Sequence, residues 1–140
     1  MSLGQGYGVY TGAVGTRNLP GIMGLGAAID FLEHLGPQEI ESHNLALRAK
    51  LVDGLQGVPG ADIASPLAPG MVAPFVSLRL VPGDTNVKLA DHLRETYSIV
   101  VKVLPPNLLN GIRISVHFYN TEQDIEALVI ALNQALKKTG

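Results

Sequence analysis

The chain has 140 residues, of which 46% are hydrophobic and 16% charged, and this length and composition predict one folded domain rather than a disordered chain. A net charge of −2, with no basic run longer than Lys137-Lys138, excludes a nucleic-acid-binding surface because phosphate binding needs clustered cations. No apolar run approaches the roughly 20 residues that span a bilayer. The absence of cysteine excludes disulfides, thiolate metal sites and a cysteine nucleophile. We expect a cytoplasmic protein that binds neither nucleic acid nor membrane.

Glycine is concentrated at the start of the chain, where eight of the 16 glycines fall within the first 26 residues. Such a segment is hard to order by itself, because glycine loses much backbone entropy and supplies no side chain to pack. We therefore predict a glycine-rich lead-in over residues 1–18 and a folded domain over residues 19–140.

The domain is predicted to begin with two helices. The first starts near Leu19, with Asn18 as a possible cap and Pro20 in its first turn, and apolar residues follow at spacings of three and four. Gly36-Pro37 ends it. The second runs from about Pro37 to Leu55, with one apolar stripe that includes Ile40, Leu47, Leu51 and Leu55.

Strands and helices alternate over the middle of the chain. We predict a short strand near residues 61–64, a strong strand over Val72–Val81 and another over Ile99–Leu104. A helix between them begins at Asp84 or Thr85 and continues through Tyr97. Its predicted inner side consists of Val87, Ala90, Leu93 and Tyr97.

The last two predicted elements have clear patterns. Residues 111–118 alternate, with Ile112, Ile114, Val116 and Phe118 on one face and Arg113, Ser115 and His117 on the other. The last helix starts at Thr121, whose pairing with Asp124 has the form of a capping box, and extends to about Lys138. The order of elements predicts an α+β fold in which helices pack on a small sheet of about four strands.

The polar residues contain no recognisable catalytic set. The acidic residues of the predicted helices lie on outer faces and are expected to be solvated: Asp30, Glu33, Glu39, Glu41, Asp91, Glu95, Glu122 and Glu126. The four histidines lack the spacing of metal ligands, and no phosphate-binding loop with a lysine is present. We predict no catalytic residue and no metal site.

Two places have the residue types of an anion site. Gly15 and Thr16 stand just before the amino terminus of the first helix, where free N–H groups favour a phosphate. Arg113 lies in the middle of a strand, on a polar face, where its guanidinium can grip a carboxylate with two hydrogen bonds. The alternative for Gly15 and Thr16 is a loop that leads into a capped helix, and the alternative for Arg113 is a solvated arginine on a surface strand. The local sequence pattern does not decide between the functional and the structural interpretation at either place.

Two longer motifs resemble one family. One motif is the stretch from Gly15 to Ala28 (GTRNLPGIMGLGAA), and the other is Arg113-Ile114-Ser115 followed by Tyr119 to Ile125 (YNTEQDI). Both resemble the carboxyl-terminal domain of class V enzymes that depend on pyridoxal phosphate (PLP). These fold-type I enzymes include aminotransferases, cysteine desulfurases and isopenicillin-N-epimerase-like proteins. The two motifs occur in the family's order and bracket most of the chain, from about Gly12 to Lys137.

The resemblance implies specific roles. Thr16 would donate its hydroxyl to the PLP phosphate of the neighbouring subunit, and Gly15 would allow close approach. Arg113 would bind the α-carboxylate of an amino-acid substrate, on a sheet face turned toward the large domain. The lead-in would then arrive from a large domain, and the partners would be that domain and a second subunit.

The chain also departs from the family. Its lysines, Lys50, Lys88, Lys102, Lys137 and Lys138, do not match the lysine that holds PLP, which in the family lies upstream. The loop over residues 105–110 lacks the reactive cysteine of the desulfurases, and Lys102 stands where many relatives carry an arginine.

We therefore expect the small domain of a PLP-dependent aminotransferase-like or epimerase-like enzyme. By itself this chain is expected to be inactive and to bind no PLP. One alternative is a free-standing α+β module that binds an amino acid or a protein without catalysis, and another is a structural dimerisation domain.

Overall fold

The computed structural model of the protein describes residues 18–80 and 85–137. They form four helices and four strands in this order: α1 Leu19–Leu35, α2 Pro37–Leu55, β1 Asp62–Ile63, β2 Phe75–Arg79, α3 Thr85–Tyr97, β3 Lys102–Leu104, β4 Gly111–Ser115 and α4 Glu122–Lys137. The predicted α+β class and the sheet of about four strands are confirmed.

The chain divides between Pro37 and Gln38 into two compact units. The first contains α1, which has the predicted cap: the side-chain oxygen of Asn18 accepts a hydrogen bond from the backbone N–H of Gly21 at 3.1 Å. The second contains the sheet and the remaining helices. Residues 1–17 of the predicted lead-in lie outside the described residues, so the predicted boundary between residues 18 and 19 stays a prediction.

The sheet is antiparallel, with the strand order β1-β2-β4-β3. On β4 the predicted alternation is confirmed, because Ile112, Ile114 and the following Val116 are buried whereas Arg113 and Ser115 are exposed. The buried face of the sheet therefore belongs to the core, and the face that carries Arg113 is open.

The core is built from the buried sheet face and the apolar stripes of α2, α3 and α4. Its largest fully buried apolar side chains are Leu51, Leu55, Val76, Leu78, Leu93, Ile112 and Leu132. Gly111 permits the close pairing of β4 with β2, since a Cβ atom at this position would lie 1.9 Å from the carbonyl oxygen of Leu78. Any side chain here would push the two central strands apart.

The start of α4 contains the predicted capping box. The backbone N–H of Thr121 donates to Asp124 Oδ2 at 2.8 Å, and the N–H of Asp124 donates to Thr121 Oγ1 at 3.2 Å. The hydrogen bonds from the Thr121 N–H and hydroxyl lower the pKa of Asp124. The adjacent Asn120 accepts from the N–H of His117 at 2.9 Å, which fixes the turn before the helix.

The strands are shorter than the sequence predicts, for identifiable reasons. The predicted strand over Ile99–Leu104 begins only at Lys102, because Ser98 has a φ of 58° and the N–H of Ile99 bonds back to Leu93 to close α3. β4 ends at Ser115 because residues 117–120 form a turn. β2 begins at Phe75, after a proline that has no N–H to donate.

The predicted inner side of α3 is wrong at one position. Val87 is 48% exposed, and its place in the core is taken by Leu89 and by the polar Asn86. The amide of Asn86 donates to the carbonyl oxygen of Leu104 at 2.9 Å, and its own oxygen accepts from the Val87 N–H at 2.8 Å. These bonds turn the helix so that Val87 faces outward, whereas the predicted Leu93 is fully buried.

Two neighbouring residues of α4 provide a test of the core. Leu132 is fully buried and Ile130 is 56% exposed. We expect Leu132→Ala to lower the free energy of unfolding by about 2–5 kcal/mol, because it leaves a cavity. Ile130→Ala should change it by about 0.5 kcal/mol or less. Urea unfolding followed by circular dichroism measures both, and equal losses would contradict this core.

The capping box predicts a pH dependence of stability. The folded-state pKa of Asp124 is lowered, so its contribution is present above the unfolded pKa and is lost as the pH falls through the folded value. Asp124→Asn should therefore be less stable than the unsubstituted chain at pH 7 and should lose less stability on acidification to about pH 3. The matched control is Glu41→Gln, an exposed change elsewhere. The urea midpoint at both pH values decides, and parallel acid losses in all three proteins would refute the role of Asp124.

Candidate substrate-binding site

Arg113 stands at the centre of the open sheet face. β4 pairs with β2 on one side and with β3 on the other, so the residues directly opposite Arg113 are Ser77 and Lys102. The guanidinium lies over the ring of Phe75, with its carbon 5.6 Å from the ring centroid. Stacking of this kind orients the planar fork while leaving its N–H groups free to donate.

The Arg113 guanidinium is not neutralised by any residue that the structure describes. Among the residues that the structure describes, no carboxylate lies within salt-bridge distance of it, and it makes no hydrogen bond to protein. An exposed arginine held by an aromatic ring and without a counterion is suited to bind an anion from outside the chain.

Lys102 was singled out in the sequence only as the position of an arginine in many relatives, and its place beside Arg113 was not predicted. It is exposed and directly opposite Arg113 on the adjacent strand, and within the described part of the chain it has no ion pair. Like charges at directly opposite positions of a sheet are destabilising. The register of β3 and β4 places Lys102 opposite Arg113. This register can be counted back from the turn at residues 105–110, but only once it is known that the two strands pair.

The other described residues of this face do not supply an acid that compensates the two charges. Among the described residues of the four strands, the acid on this face is Asp62, which is held by Arg79 through a 2.8 Å bond from Nη1 to Oδ2. Asp62 and Arg79 are directly opposite each other on β1 and β2. Arg79 lies two residues along β2 from Ser77, the residue opposite Arg113. Within the described residues, Lys102 and Arg113 therefore remain as two uncompensated positive charges, which we call the cation pair.

Beyond Ser115 the polar face continues into a turn with aromatic side chains. The ring of His117 is stacked on that of Tyr119, with centroids 4.6 Å apart and an interplanar angle of 26°. Asn120 closes the turn, because its N–H donates to the carbonyl oxygen of His117 at 2.9 Å and its side-chain oxygen accepts from the His117 N–H. These bonds, together with the capping box of Thr121 and Asp124, give Asn120 and Thr121 a structural role in this turn.

A cleft of about 240 Å³ opens where β3 and β4 diverge. Its walls are residues 98–101, residues 114–116 and the first turns of α4. The left-handed conformation of Ser98 turns the chain here, and the ladder between the strands begins only at Lys102. Arg113 does not line this cleft, so the cation pair is a feature of the open face alone.

The predicted phosphate-binding residues, Gly15 and Thr16, lie outside the described residues, so their role stays a prediction. Of the part of the chain that is described, no helix is long and apolar enough to cross a membrane. Over the same residues there is no cluster of three or more histidine, cysteine or acidic side chains arranged to hold a metal ion.

Comparison with known proteins identifies the family. The family model described as Aminotransferase class-V matches residues 10–128, which is most of the chain. The chain belongs to the class V aminotransferase family. The resemblance seen in the two sequence motifs is thereby confirmed.

Individual class V relatives agree with this assignment. An isopenicillin N epimerase from Amycolatopsis lactamdurans is 34% identical over 123 residues, covering 88% of this chain and 31% of the relative. A probable cysteine desulfurase from Halalkalibacterium halodurans is 32% identical over 132 residues, covering 90% of this chain and 32% of the relative. The chain therefore spans about a third of the length of the curated relatives it matches.

Solved structures show the same fold. A NifS-like protein has a TM-score of 0.74 at 30% identity, covering 97% of this chain and 39% of that one. A cysteine desulfurase from Thermococcus onnurineus NA1 has a TM-score of 0.77 at 25% identity, covering 89% of this chain and 33% of that one. The sheet and helices described above are thus those of a class V domain.

The cation pair predicts how stability responds to salt. Lys102→Gln removes a like charge opposite Arg113, so this variant should be at least as stable as the unsubstituted chain at low ionic strength. The difference should shrink in about 1 M NaCl, where the Debye length falls to about 3 Å. Lys88→Gln, an exposed change on α3, is the control. Thermal unfolding at both salt concentrations measures the effect, and a clear loss of stability in Lys102→Gln would show that the two charges do not repel.

Proposed function

We propose that this chain is the small domain of a PLP-dependent class V enzyme that acts on an amino acid, and that Arg113 binds the α-carboxylate of the substrate. The observation that carries this proposal is the position of Arg113: exposed, oriented by Phe75 and without a counterion among the described residues. An arginine fork in this state supplies two parallel N–H donors to a carboxylate.

In the proposed enzyme Arg113 orients the substrate. Holding the carboxylate by two bonds restricts rotation of the amino acid, and this presents the bonds of its α-carbon in one direction. PLP, when bound, supplies the electron sink that stabilises negative charge at that carbon. The proposed holder of its phosphate is Thr16 of the neighbouring subunit, with Gly15 beside it.

The lysines of this chain do not fit covalent attachment of PLP. An attacking lysine must present a neutral amine, and Lys50 instead donates to Glu122 at 2.6 Å and lies 2.9 Å from Glu126, which raises its pKa. Lys88, Lys102 and Lys137 are exposed, so they lie outside any buried pocket that could enclose a covalently attached cofactor. The attaching lysine is therefore proposed to lie in a large domain, and this chain alone is proposed to be inactive.

The reaction is proposed to be transamination, epimerisation or a lyase step rather than desulfuration. The whole chain contains no cysteine. The loop between β3 and β4 is instead a tight turn, in which the N–H groups of Leu108, Leu109 and Asn110 all approach the carbonyl oxygen of Pro105 at 3.0–3.2 Å. A thiol that would accept sulfur is thus missing from this segment.

The proposed partners are a large domain and a second subunit, in the cytoplasm. Support comes from α1, whose large apolar side chains are exposed: Leu19, Ile22, Met23, Leu25, Ile29, Phe31, Leu32 and Leu35. Met23 is 68% exposed and Leu25 63%. An apolar surface of this kind is typical of a segment that another part of a protein covers.

The test uses the longer protein that includes the residues upstream of this segment. We expect it to bind PLP, seen as visible absorption, and to turn over an amino acid. Arg113→Gln should leave PLP binding intact and lower kcat/KM by about 30-fold or more, since losing one partner of a hydrogen-bonded charge pair costs about 2 kcal/mol or more. Arg94→Gln removes an exposed arginine of α3 and is the matched control.

The other outcomes decide between the alternatives. A longer protein that binds an amino acid but no PLP would indicate a binding module without catalysis. Full activity in both Arg113→Gln and Thr16→Ala would indicate a structural domain and would overturn the proposed roles of these residues.

A further inference from the structure

The feature that the proposed function leaves unexplained is the second member of the cation pair. One α-carboxylate needs one arginine fork, but Lys102 stands directly opposite Arg113 and is also exposed and without an acid among the described residues. Residues directly opposite each other in an antiparallel pair have Cβ atoms about 4.5–5.5 Å apart. The two head groups can therefore reach two anionic groups of one small molecule.

The surrounding residues favour neutralisation of the two charges by an external ligand over neutralisation by acids within the described part of the chain. The acid on this face, Asp62, is already engaged by Arg79. The guanidinium of Arg113 lies over the ring of Phe75, with its carbon 5.6 Å from the ring centroid. The arginine is thereby oriented, whereas the lysine keeps a flexible stem whose ammonium acts as a point charge.

We propose that the cation pair selects an amino acid with a second anionic group, an amino dicarboxylic acid, with Arg113 on the α-carboxylate and Lys102 on the distal carboxylate. This rests on the proposed function for the reaction, but binding of two carboxylates is a property of the sheet face itself. A single carboxylate shared by both cations is the competing arrangement, and it predicts no preference for a second acidic group.

The first test uses this chain and two probes, glutarate and butyrate, at equal ionic strength. Titration followed by backbone amide chemical shifts should place both probes on β3 and β4, with glutarate binding about two- to five-fold more tightly, the effect of one exposed ion pair. Lys102→Gln should abolish the preference for glutarate, and the control Lys88→Gln should preserve it. Equal binding of the two probes, or shifts confined to other elements, would overturn the proposal.

The second test uses the longer protein and compares acidic amino acids with neutral ones of the same length. Lys102→Gln should lower kcat/KM for the acidic substrate by about 10- to 100-fold, the range for a hydrogen bond to a charged group, and leave the neutral substrate unchanged. If Arg113→Gln impairs both substrates while Lys102→Gln changes neither, the inference fails and the proposed function stands. If the longer protein binds no PLP, the proposed function fails, and the titration of this chain alone still decides whether the cation pair binds two carboxylates.

Discussion

The alternation of side chains along β4 is the constraint on which the rest of the structure depends. Ile112, Ile114 and Val116 point into the core, so Arg113 and Ser115 must point away from it. A slip of one residue would bury the guanidinium and expose three apolar side chains. Since β4 is bonded to strands on both sides, and Gly111 fits only where no side chain is present, the register admits no such slip.

The open face acquires its charge from the same register. Pairing of β3 with β4 places Lys102 opposite Arg113, and pairing of β1 with β2 places Asp62 opposite Arg79. The second pair neutralises itself, whereas the first repels. A free domain gains nothing in stability from two adjacent cations without a counterion. The arrangement is understandable if an anionic substrate supplies the missing charge, and this links the packing of the core to the proposed binding of an amino acid.

The features of the fold that involve residues close in the chain could be predicted from the sequence. They include the alternation of side chains on β4 and the capping box of Thr121 and Asp124. Hydrogen bonds between residues far apart in the chain could not be predicted from such local patterns. Asn86 is buried because the distant carbonyl of Leu104 accepts from it, and a reading based on apolar residues chose Val87 instead.

The candidate site was predictable only in part, for the same reason. Arg113 could be singled out from its place within a strand and from the family resemblance. Its position opposite Lys102 depends on which strands pair and in which register. Its contact with Phe75 depends on the position of β2 in the sheet. Neither could be found without the structure. The roles of Gly15 and Thr16 stay predictions.

A crystal structure of the longer protein with an amino-acid substrate analogue bound tests the role of Arg113 most directly. Both oxygens of the α-carboxylate should lie about 2.7–2.9 Å from two guanidinium nitrogens of Arg113, the distance of a charge-assisted pair. A bound analogue whose carboxylate is held elsewhere, with Arg113 in solvent or paired to an acid of the protein, would contradict this role.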